Sequence, residues 1–151
     1  MPNIFVKVPE GVFSSEQISE LAQGVTLAAY EAESTPDDET KRMLTWVVVD
    51  ETPSKNILIG GQELVPMMIP VIVRFCVPEG VFDEHRKKIA VEKIHSTILS
   101  IASETQKQAV LTSIIIDTIG DGDWGCQGEV WTLPNFAAAA GYEHLQHLVD
   151  S

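Results

Sequence analysis

Basic residues are scarce in this chain. Lysine and arginine together number 10 against 22 aspartates and glutamates, a formal net charge of −12. A surface of that sign repels phosphate backbones and anionic lipid, so neither nucleic acid nor a membrane surface is expected as a partner. Cysteine is scarcer still: Cys76 and Cys126 are the whole complement. The first residues carry no basic flank followed by an apolar stretch, so no signal peptide is expected. The expected compartment is therefore the cytoplasm, with both thiols free. Long apolar runs are missing too. The best, "MMIPVIV", falls well short of the ~18 residues that cross a bilayer. What is present is ordinary for a globular protein, 44% hydrophobic and 21% charged over 151 residues. Disorder is excluded, and one domain with its own core is expected.

Within that composition the chain repeats itself. "VPEGVF" stands at residues 8–13 and again, word for word, at 77–82. Before the first copy, "NIFVKV" alternates Ile4, Val6 and Val8 onto one face of a strand. After it, Ser14 and Gln17 have capping-box spacing, and Ile18, Leu21, Val25 and Ala28 or Ala29 recur at helical intervals, which predicts a helix from about Ser15 to Ala32. "ESTPDDETK" is a polar connection, and "LTWVVVDE" reads as a mostly buried strand parallel to the first.

The second copy follows the same order. "IPVIVRFCV" is a strand, Asp83 a cap, and Val91, Ile94, Ile98 and Ile101 the stripe of a helix from about Asp83 to Ser103. "TSIIIDT" then answers "TWVVVDE", and the loop "GDGDWGCQG" answers "PSKNILIGG". This is an internal duplication of two βαβ units, about 2–66 and about 69–128, with a tail at 129–151 that holds a short strand "EVWTL" and a helix broken at Gly141. The fold class is α+β: a single domain with a four-stranded sheet, two helices on one face and a C-terminal extension. The other sheet face is too apolar to stay wet, so burial in an oligomer is expected.

Pro2, directly behind the first methionine, is a candidate for chemistry. A peptide-bonded proline nitrogen has no basic lone pair, whereas a proline freed by loss of Met1 is a secondary amine. An α-amino group titrates near ~7.7–8.0, and an apolar pocket lowers that further, so such an amine exchanges protons near neutral pH.

Taken together, Pro2 opening the first strand, the "VPEG" turn into an amphipathic helix, "TWVVVDE" and "NILIGG" resemble the tautomerase superfamily, in its 4-oxalocrotonate tautomerase-like and MIF-like form. The length is similar to fused double-βαβ members such as cis-3-chloroacrylic acid dehalogenase. The resemblance covers about residues 2–128 and implies a homotrimer that needs no cofactor and no metal. Its substrate would be a small 2-hydroxydienoate or enolpyruvate-type molecule, with Pro2 as the general base of keto–enol proton transfer. Pro70 echoes Pro2 but sits mid-chain and cannot serve.

The arginines that the family sets against substrate carboxylates are absent. Their positions hold Val12 and Trp46 in the first half and Pro78, Val81 and Ser113 in the second, and Cys126 stands where the dehalogenase has an acid. Candidates for the substrate pocket are Arg74, a charge inside an apolar strand, with Trp46, Ile57, Trp124 and Cys126. Two further readings stay open. One is a trimeric binding or structural module with weak or no catalysis. The other is a hydratase- or dehalogenase-like activity on a 3-substituted acrylic acid, which needs a water-activating carboxylate with no place in the pattern.

Overall fold

Strand β1 (Asn3–Pro9) turns alternate side chains inward, burying Ile4, Val6 and Val8 while Phe5 and Lys7 face out. These residues belong to a computed structural model of the chain, which describes residues 1–150. The "PEG" turn follows, with Gly11 at φ 79°, and its twin in the second repeat has Gly80 at φ 91°. Both glycines adopt a left-handed backbone that strains any residue with a Cβ, which gives the repeated motif its physical reason.

Helix α1 (Ser15–Glu33) opens with the expected capping box: Gln17 N–H donates to Ser14 Oγ at 3.1 Å, and Ser14 N–H to Gln17 Oε1 at 2.9 Å. The polar connection contains a short helix, α2 (Glu39–Arg42), that the spacing does not predict, and leads into β2 (Trp46–Thr52). The second half supplies β3 (Ile69–Pro78), α3 (Glu84–Ile101) capped by Asp83, a one-turn α4 (Glu104–Lys107) and β4 (Val110–Ile119). Strand order is β2-β1-β3-β4, with β1 antiparallel to β3 at the centre and each parallel to its own outer partner.

The core lies between the sheet and the helix pair. Val71, Val73, Phe75 and Val77 of β3 join the β1 residues against Leu21, Val25 and Ala28 of α1 and Ala90, Ile94 and Ile98 of α3. Each aliphatic side chain sealed there contributes roughly 1.5–3 kcal/mol. Val91, expected in the α3 stripe, is instead 39% exposed. One turn back from Ile94 the helix offers both Ala90 and Val91, and the smaller residue faces the sheet.

Strand β2 also departs from expectation. It lies at a sheet edge, and in the single chain Trp46 and Val48 are exposed on the face away from the helices, with only Val47 and Val49 packed on the core. The β-branched run signals a strand without showing how much of it this chain covers. Beyond β4, the presumed loop holds β5 (Trp124–Cys126), which pairs with β6 (Glu129–Trp131) across Gln127 and Gly128, both at positive φ. That two-residue turn is a hairpin signal. Helix α5 (Leu133–Ala140) ends at Gly141, and a 3-10 segment (Glu143–Leu148) closes the described chain. Both cysteines are free, and among the described residues no helix is long and apolar enough to cross a membrane.

Gly24 lets α1 and α3 approach closely, because a Cβ there would stand 2.5 Å from Thr97 Cγ2. Gly24→Ala should therefore destabilise by about 1–3 kcal/mol in urea denaturation, despite alanine's better helix propensity. In a Thr97→Ser background, which removes the methyl, the same change should be neutral or stabilising by up to about 1 kcal/mol.

Candidate active site

The chain ahead of β1 ends in a buried polar cluster. Trp46 N–H donates to the Pro2 carbonyl at 3.1 Å, continuing the β1–β2 ladder one residue upstream, and Pro2 is buried. The terminal amine of Met1 then donates to the Tyr142 hydroxyl and lies 3.5 Å from Glu33 Oε1. Tyr142 in turn donates to Glu33 Oε1 at 3.3 Å. Glu33 is 1% exposed and Tyr142 fully buried, so these polar groups serve as one another's partners in place of water.

Three tethers bring this cluster together. Arg86, at the start of α3, donates to the Ala32 carbonyl at 3.1 Å and to Ser34 Oγ at 2.5 Å, clamping the end of α1. Glu143 N–H donates to the Ser34 carbonyl at 3.0 Å, which sets the tail against the same helix end. His144 Nε2 donates to the Val81 carbonyl at 2.9 Å and ties the tail to the second "PEGV" turn. Further along, Phe136 of α5 packs edge-on to Trp124 and Trp131, with ring centroids 5.4 and 5.2 Å apart.

The electrostatics follow from burial. The Met1 amine is held below its ordinary value, burial outweighing the upward pull of the Glu33 charge and hydrogen bond. Glu33 is pushed up by burial against the opposing charge of the same amine. Tyr142 is raised well above its ordinary value, by burial first and Glu33 second. Burial also raises the Cys126 thiol, against the amine's charge, which makes it a poor nucleophile.

The sequence candidates scatter over this frame. Trp46 and Cys126 lie at the Pro2 end, although the Trp46 indole is exposed and donates to the Met43 carbonyl at 3.0 Å. Trp124 serves the aromatic cluster that seats α5. Arg74 lies on the open sheet face beside Phe5, where its Nη2 and Nε sit 2.6 and 2.8 Å from Asp117 Oδ2; the partner is within the chain. Ile57 is at the opposite end of the sheet, lining a cavity of about 350 Å³ with Lys7, Thr52, Leu58, Pro70 and Ile72. A cavity of about 500 Å³ beside Gly11, Val12 and Gln106 also lies away from Pro2.

Glu33 and Tyr142 were not singled out by the pattern. For Glu33 a signal existed: it falls four residues after Ala29 and eight after Val25, a charge on the buried stripe of α1. Tyr142 lies in a tail without a counterpart in the first half and carries no such mark.

This fold is that of the tautomerase superfamily. Among solved structures the chain is similar to R7, a wild-type fused 4-OT forming an asymmetric trimer, at TM-score 0.67 and 23% identity over 85% of this chain and 94% of that one. It is also similar to N1, a member of the cis-3-chloroacrylic acid dehalogenase family, at TM-score 0.67 and 15% identity over 99% of both chains. A third is FG41 malonate semialdehyde decarboxylase inhibited by 3-bromopropiolate, at TM-score 0.59 and 17% identity over 81% of this chain and 86% of that one. At these identities the likeness is one of fold. No family model matches the sequence, and no curated protein matches it.

His144 supplies a pH test of the tail's docking. Burial is the largest influence on its imidazole and holds it below its ordinary value, with Arg86 and His147 acting the same way and Asp83 and the Val81 carbonyl opposing. A depressed folded pKa gives stability that is present above the unfolded value of about 6.5 and is lost as pH falls below it. Thermal midpoints should drop more steeply from pH 7 to pH 5.5 in the native chain than in His144→Gln, whose amide can keep the donor to Val81.

Proposed function

We propose that this chain is a cofactor-independent isomerase of tautomerase type, in which Pro2, freed by removal of Met1, is the general base of keto–enol proton transfer. The observation that carries this reading is the buried terminal amine, held below its ordinary value at the head of β1. Because the Pro2 carbonyl is fixed by Trp46 N–H, loss of Met1 leaves a secondary amine at the edge of the same dry site. An amine neutral at physiological pH can take a proton from an enol or an acidic carbon and return it. Trp46 and Cys126 are proposed as walls of that site, with Arg74, Ile57 and Trp124 as more distant candidates.

A homotrimer is part of the proposal. The sheet face away from the helices leaves Phe5, Trp46, Val48, Ile72, Leu111 and Ile115 exposed, a patch suited to an interface. The fused 4-OT structures R7 and F6 are asymmetric trimers and Q0 a symmetric one. We read the chain as a single domain of two unequal halves, about 2–66 and about 69–128, working in the cytoplasm on a small molecule.

Mass spectrometry of the mature protein should show a chain beginning at Pro2, and light scattering should give three times the chain mass. Ketonisation of phenylenolpyruvate should depend on the proline, falling at least about 100-fold in Pro2→Ala, within the 10²–10⁴ range of general acid–base catalysis. Retained Met1, or an unchanged rate in Pro2→Ala, would sink the reading.

A further inference from the structure

Removing Met1 does more than uncover the Pro2 nitrogen. The Met1 side chain is only 11% exposed, so its departure opens a hollow walled by Glu33 and Tyr142. The new amine lies within one Cα–Cα step, about 3.8 Å, of the old one. Met1's nitrogen thus marks a point where the polar atom of a ligand would meet the Tyr142 hydroxyl and Glu33.

Resting on the Pro2 reading above, we infer that this hollow takes an uncharged carbonyl compound, with Tyr142 as a catalytic residue hydrogen-bonding its oxygen and Glu33 as the positioning residue behind Tyr142. Charge is the first support. Arg74, the basic residue among the pocket candidates, is engaged by Asp117. The ionic partner of the terminal amine is itself an acid, Glu33. A substrate carboxylate entering here meets a buried carboxyl group and an amine that must be neutral to act as base, so its desolvation is uncompensated. A ketone or its enol carries no such cost.

Hydrogen-bond inventory is the second support. The Tyr142 hydroxyl accepts from the Met1 amine and donates to Glu33. Once Met1 is gone, the phenol loses that donor and Glu33 loses its closest cation. Glu33 is already pushed up by burial with the amine in place, so its neutral acid form is favoured further without it. A protonated Glu33 donates to the Tyr142 oxygen, and the phenolic hydrogen then turns toward the ligand. A carboxylic acid kept neutral by an apolar site, working with a tyrosine on a developing oxyanion, is a known physical arrangement.

The step balances without a co-reactant. The Pro2 nitrogen takes the proton from the carbon beside the carbonyl. The C–H electron pair becomes the C=C bond, and the carbonyl π pair moves onto the oxygen held by Tyr142. The Pro2 ammonium then gives its proton to that oxygen, which yields the enol and restores the amine; ketonisation is the reverse.

The test compares phenylenolpyruvate with its methyl ester on the full mature chain. The ester should be ketonised with at least tenfold higher kcat/KM than the free acid. Tyr142→Phe should lower kcat on the ester about 100-fold, the size of losing one oxyanion donor, with KM within about twofold. Glu33→Gln, whose amide can still donate to the Tyr142 oxygen, should keep most of the rate, while Glu33→Ala should approach Tyr142→Phe. Preference for the free acid, or full ester turnover by Tyr142→Phe, overturns the inference while leaving Pro2 dependence intact. An ester rate unchanged by Pro2→Ala, or no turnover of either compound, overturns both readings. If Tyr142→Phe does not fold, the ester-to-acid ratio of the native chain and the Glu33→Gln rate decide.

Discussion

One buried hydrogen-bonded triangle, the terminal amine with Glu33 and Tyr142, constrains the rest of this structure. Its groups are largely shut off from water and serve as one another's partners, and an isolated charge there would cost several kcal/mol. That dependence explains why the C-terminal tail is tied so carefully to the two-layer sandwich. Glu143 holds the end of α1, His144 holds the second "PEGV" turn, and Phe136 sits against two tryptophans. The tail delivers Tyr142 to a point that the duplicated halves cannot fill themselves. The same burial that demands partners also weakens the amine's hold on its proton.

Duplication gives the sheet two similar ends that have diverged. At one, a free amine precedes β1 beside the β5–β6 hairpin; at the other, Pro70 stands second in β3 beside the loop carrying Ile57. Pro70 is locked in a peptide bond and has no basic nitrogen, so a site at that end lacks the base. The repeated turns remain alike because both need a left-handed glycine, a demand of backbone geometry that is indifferent to chemistry. The two ends share a backbone and differ in that a chain has a single amino terminus.

The repeated architecture was legible because it rests on local signals: the alternation of Ile4, Val6 and Val8, the Ser14–Gln17 box, the Asp83 cap and the matching "VPEGVF" turns. Solvent exposure was less legible, since β-branched β2 looks the same in sequence whether its outer face is covered or bare. Of the candidate site, Pro2 is picked out by position, whereas the polar partners of the adjacent Met1 amine come from residues 33 and 142, more than a hundred positions apart, and only tertiary docking of an unrepeated tail joins them. Glu33 was readable as a charge on an apolar stripe. Tyr142 was not, because nothing local distinguishes a tyrosine that closes a buried cluster from one that merely packs.

The most direct test of the account is a ¹⁵N NMR titration of the terminal nitrogen in the mature protein. An amine kept dry at the head of β1 should titrate below the ordinary α-amino range of about 7.7–8.0. A Pro2 nitrogen that titrates within or above that range would contradict the claim that burial makes it a base.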